Sequence, residues 1–309
     1  MTTALKGVPE FPEFRPIDLN DRPMVEELFL RYPTQLSERT FGSVFIWREY
    51  EHRSELSQID GHLAISWFRA RFGRTMLPPV GPDPVDTVMK LSSDDYLRIH
   101  SFEGVHGLEN PEVGLLMEKG KTPESLRDEW DYVYLTDDLV RLEGPRYHTQ
   151  RKELKKATAE FELVYEPMTK EHQKDCLQLE ETWCDMKHCS LDKLSAAEDH
   201  ALKEALERMD VLGFFGAVVL IDDRIQALTI GERLNRNTAV VHFEKANPSI
   251  RGLYQFVNQQ FCEHALVGFE FVNREQDVGE PGLRRAKEGY HPHHFVEKHI
   301  LLFRQDRRQ

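Results

Sequence analysis

The stretch FFGAVVLIDDRIQALTIGERLNRNTAVVHFEKANPSIRGLY, residues 214–254, decides how the second half of this chain folds. Its apolar and β-branched residues form three runs, 214–221, 225–233 and 238–243. Asp222-Asp223 separates the first two runs and Asn235 begins the turn before the third, so the pattern predicts a three-stranded antiparallel meander. Gly252 follows in a turn that opens a helix, which we expect to end near Ala265.

The segments on either side of this meander predict a mixed α+β fold. Helical and strand-like patterns alternate around it, at 151–159, 161–165, 170–209, 269–273, 282–289 and 296–303. The first half combines the same kinds of element, with a helix predicted over 21–31 and a hairpin turn at Asp60-Gly61. At roughly 100–200 residues per domain, a chain of this length predicts two domains. We place the boundary near Gly144, which gives domains of 1–144 and 145–309.

The charge balance argues against a general nucleic-acid or anionic-membrane binder. Lys and Arg total 40 against 53 Asp and Glu, a formal charge of −13, and an acidic chain repels phosphate groups. One basic run stands apart, because Arg146 to Lys156 carries five cationic side chains against a single acidic one, Glu153. We therefore expect no DNA partner and keep two interpretations of this run open, a local basic site and a solvated face.

Several common signals are absent from the sequence. No run approaches the roughly 20 apolar residues that span a bilayer, and the first residues lack a signal-peptide core, so we expect a cytoplasmic protein without integral membrane association. There is no Walker A, dinucleotide-binding or nucleophile-elbow motif. The sequence contains two His/Cys clusters, one formed by Cys184, His188 and Cys189 and the other by residues 291–294. Neither cluster has the spacing of zinc ligands, so we expect no bound metal.

Three segments resemble a known family. They are YHTQRK (147–152), HFEKA followed by RGLY (242–246 and 251–254), and NREQDVGEPGLRRAKEGYHP (273–292). In order and spacing they resemble the family named for the C-terminal domain of phosphatidylglycerol lysyltransferase, and SERTF at 37–41 resembles it in the first half. The resemblance implies an α+β fold of two tandem GNAT-like domains, each a mixed, mostly antiparallel sheet flanked by helices, with the active site in the C-terminal one.

The resemblance also implies an activity. The named relatives move an aminoacyl group from aminoacyl-tRNA onto a lipid head group, and similar tandem folds add amino acids to cell-wall peptides. The sequence contains no counterpart of the multi-helix membrane portion of the lysyltransferases. We therefore expect a soluble member of the family whose acceptor is a small molecule, a peptide or a lipid head group.

The best candidate for donor binding is the turn at Arg251, Gly252, Leu253 and Tyr254. Free amides at the start of a helix face phosphate groups, and glycine lets the backbone approach closely. Lys245, at the end of the preceding strand, is expected to bind a donor phosphate or polarise a carbonyl. The alternative is an ordinary strand-to-helix turn.

The candidate catalytic residues are Glu244 and Tyr290. In GNAT folds the strand that ends at Glu244 borders the reaction centre, which makes this residue the expected base or amine-binding carboxylate. Such enzymes often place a tyrosine acid after the last helix, where Tyr290 lies. The alternatives are a strand-end ion pair between Glu244 and Arg274, and a tyrosine that only packs.

The candidate acceptor-binding residues follow the strand FEFV or open the second domain. They are Arg274, Glu275, Asp277, His148 and Arg151. Charged groups at the end of a buried strand are costly unless they are paired or lie in a cleft. Carboxylates there can hold an ammonium group, and arginine can grip a carboxylate or phosphate. The alternatives are a helix-capping role for Asp277 and a structural salt bridge for Arg274.

Three functions remain open from the sequence. The first is an aminoacyltransferase that takes its donor from aminoacyl-tRNA and acts on an amine or hydroxyl acceptor. The second is an N-acyltransferase that uses acyl-CoA. The third is a non-catalytic ligand-binding protein with a GNAT fold. Either enzyme would use its donor as a co-substrate, with no cofactor bound permanently.

Overall fold

The structure, a computed structural model, describes residues 5–48, 53–69, 73–92, 104–187 and 193–303. The chain divides into two compact units. We call them the first unit (residues 1–130 and 296–309) and the second unit (residues 131–295). The division falls after Trp130 rather than at the predicted Gly144, and the last segment of the chain groups with the first unit.

The described helices of the first unit are α1 (Arg22–Arg31), α2 (Phe41–Ile46), α3 (Pro84–Leu91) and α4 (Asn110–Glu118). Those of the second unit are α5 (Thr136–Arg141), α6 (His148–Glu160), α7 (Gln173–Lys187), α8 (Lys193–Glu207), α9 (Met209–Leu212), α10 (Leu253–His264) and α11 (Pro281–Glu288). The predicted break near Ser190 lies outside the described residues.

The first half of the chain contributes strands β1 (Arg15–Pro16), β2 (Glu55–Ile59), β3 (His62–Arg69), β4 (Gly73–Met76), β5 (Gly104–Leu108) and β6 (Glu124–Ser125). Strands β7 (Asp131–Leu135), β8 (Val164–Pro167), β9 (Phe215–Ile221), β10 (Arg224–Arg233), β11 (Thr238–Ala246), β12 (Phe271–Asn273), β13 (His294–Val296) and β14 (His299–Leu302) follow. The single last strand predicted over 296–303 is therefore two strands, β13 and β14.

The strands form two seven-stranded sheets with matching order. The first sheet runs β1-β2-β3-β4-β5-β14-β6 and the second runs β8-β9-β10-β11-β12-β7-β13. In each sheet the fourth and fifth strands pair in parallel, β4 with β5 and β11 with β12. The other strand pairs whose register the structure describes are antiparallel. The predicted α+β class with two mixed, mostly antiparallel sheets flanked by helices is confirmed.

Each sheet takes its sixth strand from the other half of the chain. β7, which follows directly on the first unit, pairs with β12 in the second sheet. β14, at the end of the chain, pairs with β5 and β6 in the first sheet. This exchange of strands explains why the units divide after Trp130 and after Phe295 rather than at Gly144.

The meander of the second unit forms as its sequence predicts. Its first turn, Asp222-Asp223, has both residues in the left-handed region at φ of 49° and 57°, which suits the twist of a two-residue hairpin. β9, β10 and β11 pair antiparallel in succession. α10 then crosses this sheet beside α5 and α6, and buries Leu253, Phe256, Val257 and Phe261.

The parallel strands β11 and β12 separate at one end, and this separation positions the candidate site. They pair from Thr238 opposite Phe271 to Val240 opposite Asn273, where β12 ends while β11 continues to Ala246. A register shift between β10 and β11 falls at the same place, so His242 has no residue directly opposite it on β10. Side chains rather than backbone hydrogen bonds therefore span the two strands beyond Val240.

Candidate active site

A buried ion pair bridges the separated strands. Arg274 follows β12, and its Nη2 lies 2.9 Å from Oε1 of Glu244 near the end of β11. The two side chains are only 12% and 13% exposed. Asn258 of α10 donates to the other oxygen of Glu244 at 3.3 Å, so the carboxylate is held from the sheet and from the helix together. The ion pair between Glu244 and Arg274, which the sequence offered as the alternative to a catalytic role for Glu244, is therefore present in the structure.

Two tyrosines enclose the Arg274 guanidinium. Its Cζ lies 5.7 Å from the ring centroid of Tyr134 and 5.0 Å from that of Tyr290. Burial raises the pKa of both phenols above their usual value, so both stay protonated. Tyr134 donates its proton to the carbonyl of Lys287 at 2.8 Å. The Tyr290 hydroxyl has no hydrogen-bond partner among the described residues. We call Glu244, Arg274, Asn258, Tyr134 and Tyr290 the Glu244 cluster.

The Glu244 cluster contains one unused donor and one unused acceptor. Nη1 of Arg274 and Oδ1 of Asn258 are both buried, and neither has a hydrogen-bond partner among the described residues. A buried polar atom without a partner costs about 1–3 kcal/mol. Both atoms belong to side chains that already bind Glu244 through another atom. A ligand group that offers an acceptor to Arg274 and a donor to Asn258 complements this arrangement.

Lys287 of α11 holds the loop that carries Arg274. Its Nζ donates to the carbonyl oxygens of Arg274, Glu275 and Gln276, the last at 2.7 Å. Burial and the nearby guanidinium of Arg274 lower the pKa of Lys287 to about 8. Glu275 takes a left-handed φ of 56° in this loop. The three carbonyl contacts stabilise a backbone path that a residue with a side chain seldom adopts.

Glu275, an expected acceptor-binding residue, lies at the edge of the Glu244 cluster, where its carboxylate hydrogen-bonds to His242. The buried imidazole of His242 hydrogen-bonds Oε1 of Glu275 at 2.7 Å and Oε1 of Glu232 at 2.9 Å. Burial opposes a charge on this ring, but the bonds to Glu232 and Glu275 outweigh it and raise the pKa of His242 to about 10. The side chain of Glu275 is 22% exposed, so it keeps one face toward solvent.

Asp277 was expected to bind the acceptor, but its carboxylate is fully engaged by partners within the second unit. Its carboxylate is fully buried and forms a two-point pair with Arg284, at 2.8 Å for each contact. It also accepts from the Tyr132 hydroxyl at 2.6 Å and from the amide of Gly279. Burial opposes its charge, but these bonds lower the pKa of Asp277 to about 2. These contacts give Asp277 a structural role, because they connect the 277–280 loop to α11.

The turn expected to bind the donor also has a structural explanation. Gly252 has φ of 87°, and a Cβ there would lie 2.2 Å from the carbonyl oxygen of Glu153 in α6. Glycine is therefore needed for the packing of α6 against α10. Leu253 is fully buried and its amide donates to Ile250, while Arg251 is paired with Glu153. The geometry gives no support to a pyrophosphate cradle here; Tyr254 is half-buried beside this turn.

Lys245 lies apart from the Glu244 cluster because successive residues of a strand face opposite sides of the sheet. Its buried ammonium group lies 3.0 Å from Glu198 of α8 and 3.6 Å from Glu180 of α7. Burial raises the pKa of Glu180 to about 7. The structure therefore places Lys245 with helices α7 and α8, and not with the turn at Gly252.

The basic run predicted from the sequence forms one exposed face of α6. An open depression of about 470 Å³ lies along it. Its lining consists of His148, Arg151, Lys152, Lys155, Lys156 and Ala159. Arg151 also donates from its guanidinium group to the carbonyl of Gly144 at 2.7 Å, which fixes that group near the residues that precede the helix. His148 and Arg151 are thus brought together on this face, and we call it the α6 basic face.

Sequence reasoning missed Asn258, Tyr134 and His242. Asn258 has a detectable signal, since it lies within the buried stripe of α10 between Val257 and Phe261, and a buried amide needs partners. Tyr134 has no such signal, because nothing local to the sequence shows that β7 pairs with β12. His242 becomes notable only once the register shift is known.

The remaining predictions concern metals, thiols and membrane spans. Among the described residues there is no group of three or more His, Cys, Asp or Glu side chains placed to hold a metal ion. Cys184 belongs to α7, whereas His188 and Cys189 lie outside the described residues.

Burial raises the pKa of the Cys262 thiol, near the Glu244 cluster, to about 12, so it is a poor nucleophile. None of the helices in the described ranges is long and apolar enough to cross a bilayer.

Comparison with known proteins gives a family match over most of the chain. Residues 29–302 match the family described as "Phosphatidylglycerol lysyltransferase, C-terminal". A conserved protein of unknown function from Bacteroides thetaiotaomicron is 27% identical, with a TM-score of 0.86 over 94% of this chain and 99% of that one. No curated protein matches the chain.

Two further solved structures share the fold at low identity. One is the C-terminal domain of a protein assigned as a lysylphosphatidylglycerol synthetase from Agrobacterium fabrum, 13% identical over 92% of each chain with a TM-score of 0.63. The other is L-PGS from Bacillus licheniformis, 12% identical over 98% of this chain and 95% of that one with a TM-score of 0.61. Both are similar to this chain in fold.

Proposed function

The chain belongs to the family of phosphatidylglycerol lysyltransferase C-terminal domains, and on that basis we propose that its second unit transfers an aminoacyl group from aminoacyl-tRNA to an amine or hydroxyl acceptor. The acceptor is a small molecule, a peptide or a lipid head group. The reaction centre is the Glu244 cluster, and the α6 basic face receives the tRNA.

The observation that carries this proposal is the pair of unused polar atoms beside Glu244. An aminoacyl ester has a carbonyl oxygen, which Nη1 of Arg274 can bind, and an α-ammonium group, which Oδ1 of Asn258 and the Glu244 carboxylate can bind. An acetyl group has the carbonyl oxygen but no ammonium group. The cluster therefore complements an aminoacyl donor better than an acetyl donor.

The transfer needs no covalent enzyme intermediate. The acceptor nitrogen or oxygen attacks the ester carbonyl, a C–N or C–O bond forms, and the C–O bond to the tRNA ribose breaks. Arg274 stabilises the negative charge that develops on the carbonyl oxygen. Tyr290 donates a proton to the leaving ribose oxygen, and the proton released by the acceptor returns to Tyr290 through solvent. Since Glu244 is already bound by Arg274 and Asn258, it serves to hold the donor's ammonium group rather than as the base.

The α6 basic face supports the choice of a tRNA donor. Its cations follow one another on a single helix, and a row of Lys and Arg side chains binds phosphates through release of counterions. The chain as a whole is acidic, so nucleic acid would be confined to this face.

A binding comparison tests the proposal without knowledge of the acceptor. Filter retention of the full chain is measured with tRNA charged with radiolabelled amino acids, with the same tRNA after deacylation, and with labelled acetyl-CoA. We expect charged tRNA to bind more tightly than deacylated tRNA, and Asn258→Leu to abolish that difference. Gln260→Leu, on the same helix, is the matched control and should retain it. Equal retention of charged and deacylated tRNA, or retention of acetyl-CoA alone, would rule the proposal out.

The two alternatives make different predictions in the same experiment. An acyl-CoA-dependent N-acyltransferase retains acetyl-CoA and ignores the charge state of tRNA. A non-catalytic binder retains charged tRNA without releasing its label to any amine or hydroxyl acceptor. Glu244→Ala then separates enzyme from binder, because an enzyme loses its rate of transfer whereas a binder has no rate to lose.

A further inference from the structure

The first unit buries an arginine that has no ion-pair partner among its described residues. Arg39 precedes α2 and is 7% exposed. Its Nη1 donates to the carbonyl of Pro78 at 3.0 Å, and its Cζ lies 5.1 Å from the ring centroid of Phe29. Its Nε has no hydrogen-bond partner within the described parts of the chain. Removing a guanidinium from water costs several kcal/mol when no counter-charge is in contact.

One carbonyl and one aromatic ring offset only part of that cost. A cation over an aromatic ring contributes about 0.5–2 kcal/mol, and a hydrogen bond to a neutral carbonyl contributes about 1 kcal/mol. Burial accordingly lowers the pKa of Arg39 to about 10, although Glu109 and Glu112 act against this decrease. The guanidinium remains charged at neutral pH, so a counter-ion would stabilise it.

The two nearest carboxylates are committed elsewhere. Glu109 accepts from the hydroxyl of Thr34, and it forms a reciprocal capping box with Glu112 at the start of α4. In that box the amide of Glu109 donates to Glu112 at 3.0 Å. Neither carboxylate can move to Arg39 without leaving amides of the helix start without partners. Within the described part of the chain, neither of these carboxylates is available to pair with Arg39.

We infer that Arg39 anchors a carboxylate-binding site in the first unit, separate from the Glu244 cluster. The Nη1 edge of its guanidinium is used by Pro78, and the opposite edge carries Nε. Nε and Nη2 present parallel N–H groups along that edge, which match the two oxygens of a carboxylate. Glu109 and Glu112 lie close enough to influence Arg39, and their negative charges oppose a doubly charged phosphate more strongly than a singly charged carboxylate.

The test uses the full chain labelled with nitrogen-15 and follows the arginine Nε–H signals by NMR. Arg39 is assigned from the signal that disappears in Arg39→Lys. We expect sodium acetate to move the Arg39 signal downfield in a saturable manner, and sodium chloride at the same ionic strength to leave it in place. Arg74, which pairs with Glu55 in the same unit, is the matched control, and its signal should not follow the acetate titration.

Thermal unfolding provides a second readout. Acetate should raise the Tm of the wild-type chain, and Arg39→Met should lose this shift while it remains folded, because the substitution removes a buried charge. An Arg39 signal that does not respond to acetate, or responds equally to chloride, overturns the inference. A response to phosphate but not to acetate also overturns it, since the anion would then be of a different class.

Discussion

Both units bury a cation–carboxylate pair, but only one of the two pairs is saturated. In the first unit the ammonium group of Lys298 lies 2.8 Å from each oxygen of Glu38 and 3.2 Å from the hydroxyl of Ser37. An ammonium group has three N–H donors, and three acceptors surround it. In the second unit Arg274 also holds a carboxylate, Glu244, yet its Nη1 has no partner among the described residues.

This difference separates a structural pair from a candidate binding pair. Burial opposes the charge of Glu38, but Lys298 outweighs it and lowers the pKa of that carboxyl, so the first pair is complete without a ligand. The second pair leaves a donor and an acceptor for an incoming group. The two pairs therefore differ in role, because Lys298 uses all its donors whereas Arg274 keeps one without a partner among the described residues.

The largest effect that this comparison predicts is on the stability of the first unit. Lys298→Met should lower the free energy of unfolding by about 3–5 kcal/mol, because Glu38 would keep a buried charge without a partner. Urea denaturation followed by circular dichroism measures the change. Lys90→Met is the control, since its pair with Asp60 has side chains 62% and 55% exposed, and such pairs contribute about 0–1 kcal/mol. A loss for Lys298→Met no larger than the control's would break the comparison.

The second effect is a pH dependence in the second unit. His242 has a pKa of about 10 when folded, against 6.5 as its ordinary value. A raised folded pKa means that its contribution is complete below pH 6.5 and is lost as pH rises toward 10. We expect wild-type stability to fall across this range by at most about 1.4 kcal/mol per pH unit from this group. His242→Gln should flatten that decline; an unchanged pH profile would show that His242 is not charged between Glu232 and Glu275.

The strand exchange shows how much of the fold the sequence predicts. The meander and its turns follow from residues 214–254, because alternation and turn residues act locally. The sixth strand of each sheet cannot be predicted this way, because β7 pairs with β12 and β14 with β5 across long stretches of chain. For that reason the compact units divide after Trp130 and not at the predicted Gly144.

The candidate site has the same division between local and distant information. Sequence reasoning identified Glu244, Arg274 and Tyr290 as candidates, and the structure brings these three together. It could not show that Asp277 is saturated by Arg284 and Tyr132, since those partners depend on tertiary packing. Nor could it show that Gly252 is required by the backbone of α6.

A third effect separates stability from function in the unsaturated pair. Glu244→Gln should reduce aminoacyl transfer about 10- to 100-fold, the loss expected when a charged hydrogen bond worth about 1.5–3 kcal/mol is weakened. Glutamine keeps the shape of the side chain, so the Tm should change much less than in Lys298→Met. Steady-state transfer rates and thermal unfolding measure the two quantities. A large decrease in Tm with an unchanged transfer rate would show that Glu244 has a structural role, like Glu38.

The smallest effect concerns the α6 basic face, where each charge acts through solvent. Lys152 and Lys155 are exposed and line the same depression, so their replacement by alanine should leave the Tm unchanged and weaken tRNA binding. Each phosphate contact contributes about 0.7–0.9 to the slope of log K against log salt concentration. The double variant should therefore reduce that slope by about 1.4–1.8. Lys119→Ala together with Lys121→Ala, in the first unit, is the matched control and should not alter the slope. An unaltered slope for the α6 double variant would mean that tRNA phosphates do not contact this face, and would leave the Glu244 cluster to be tested without it.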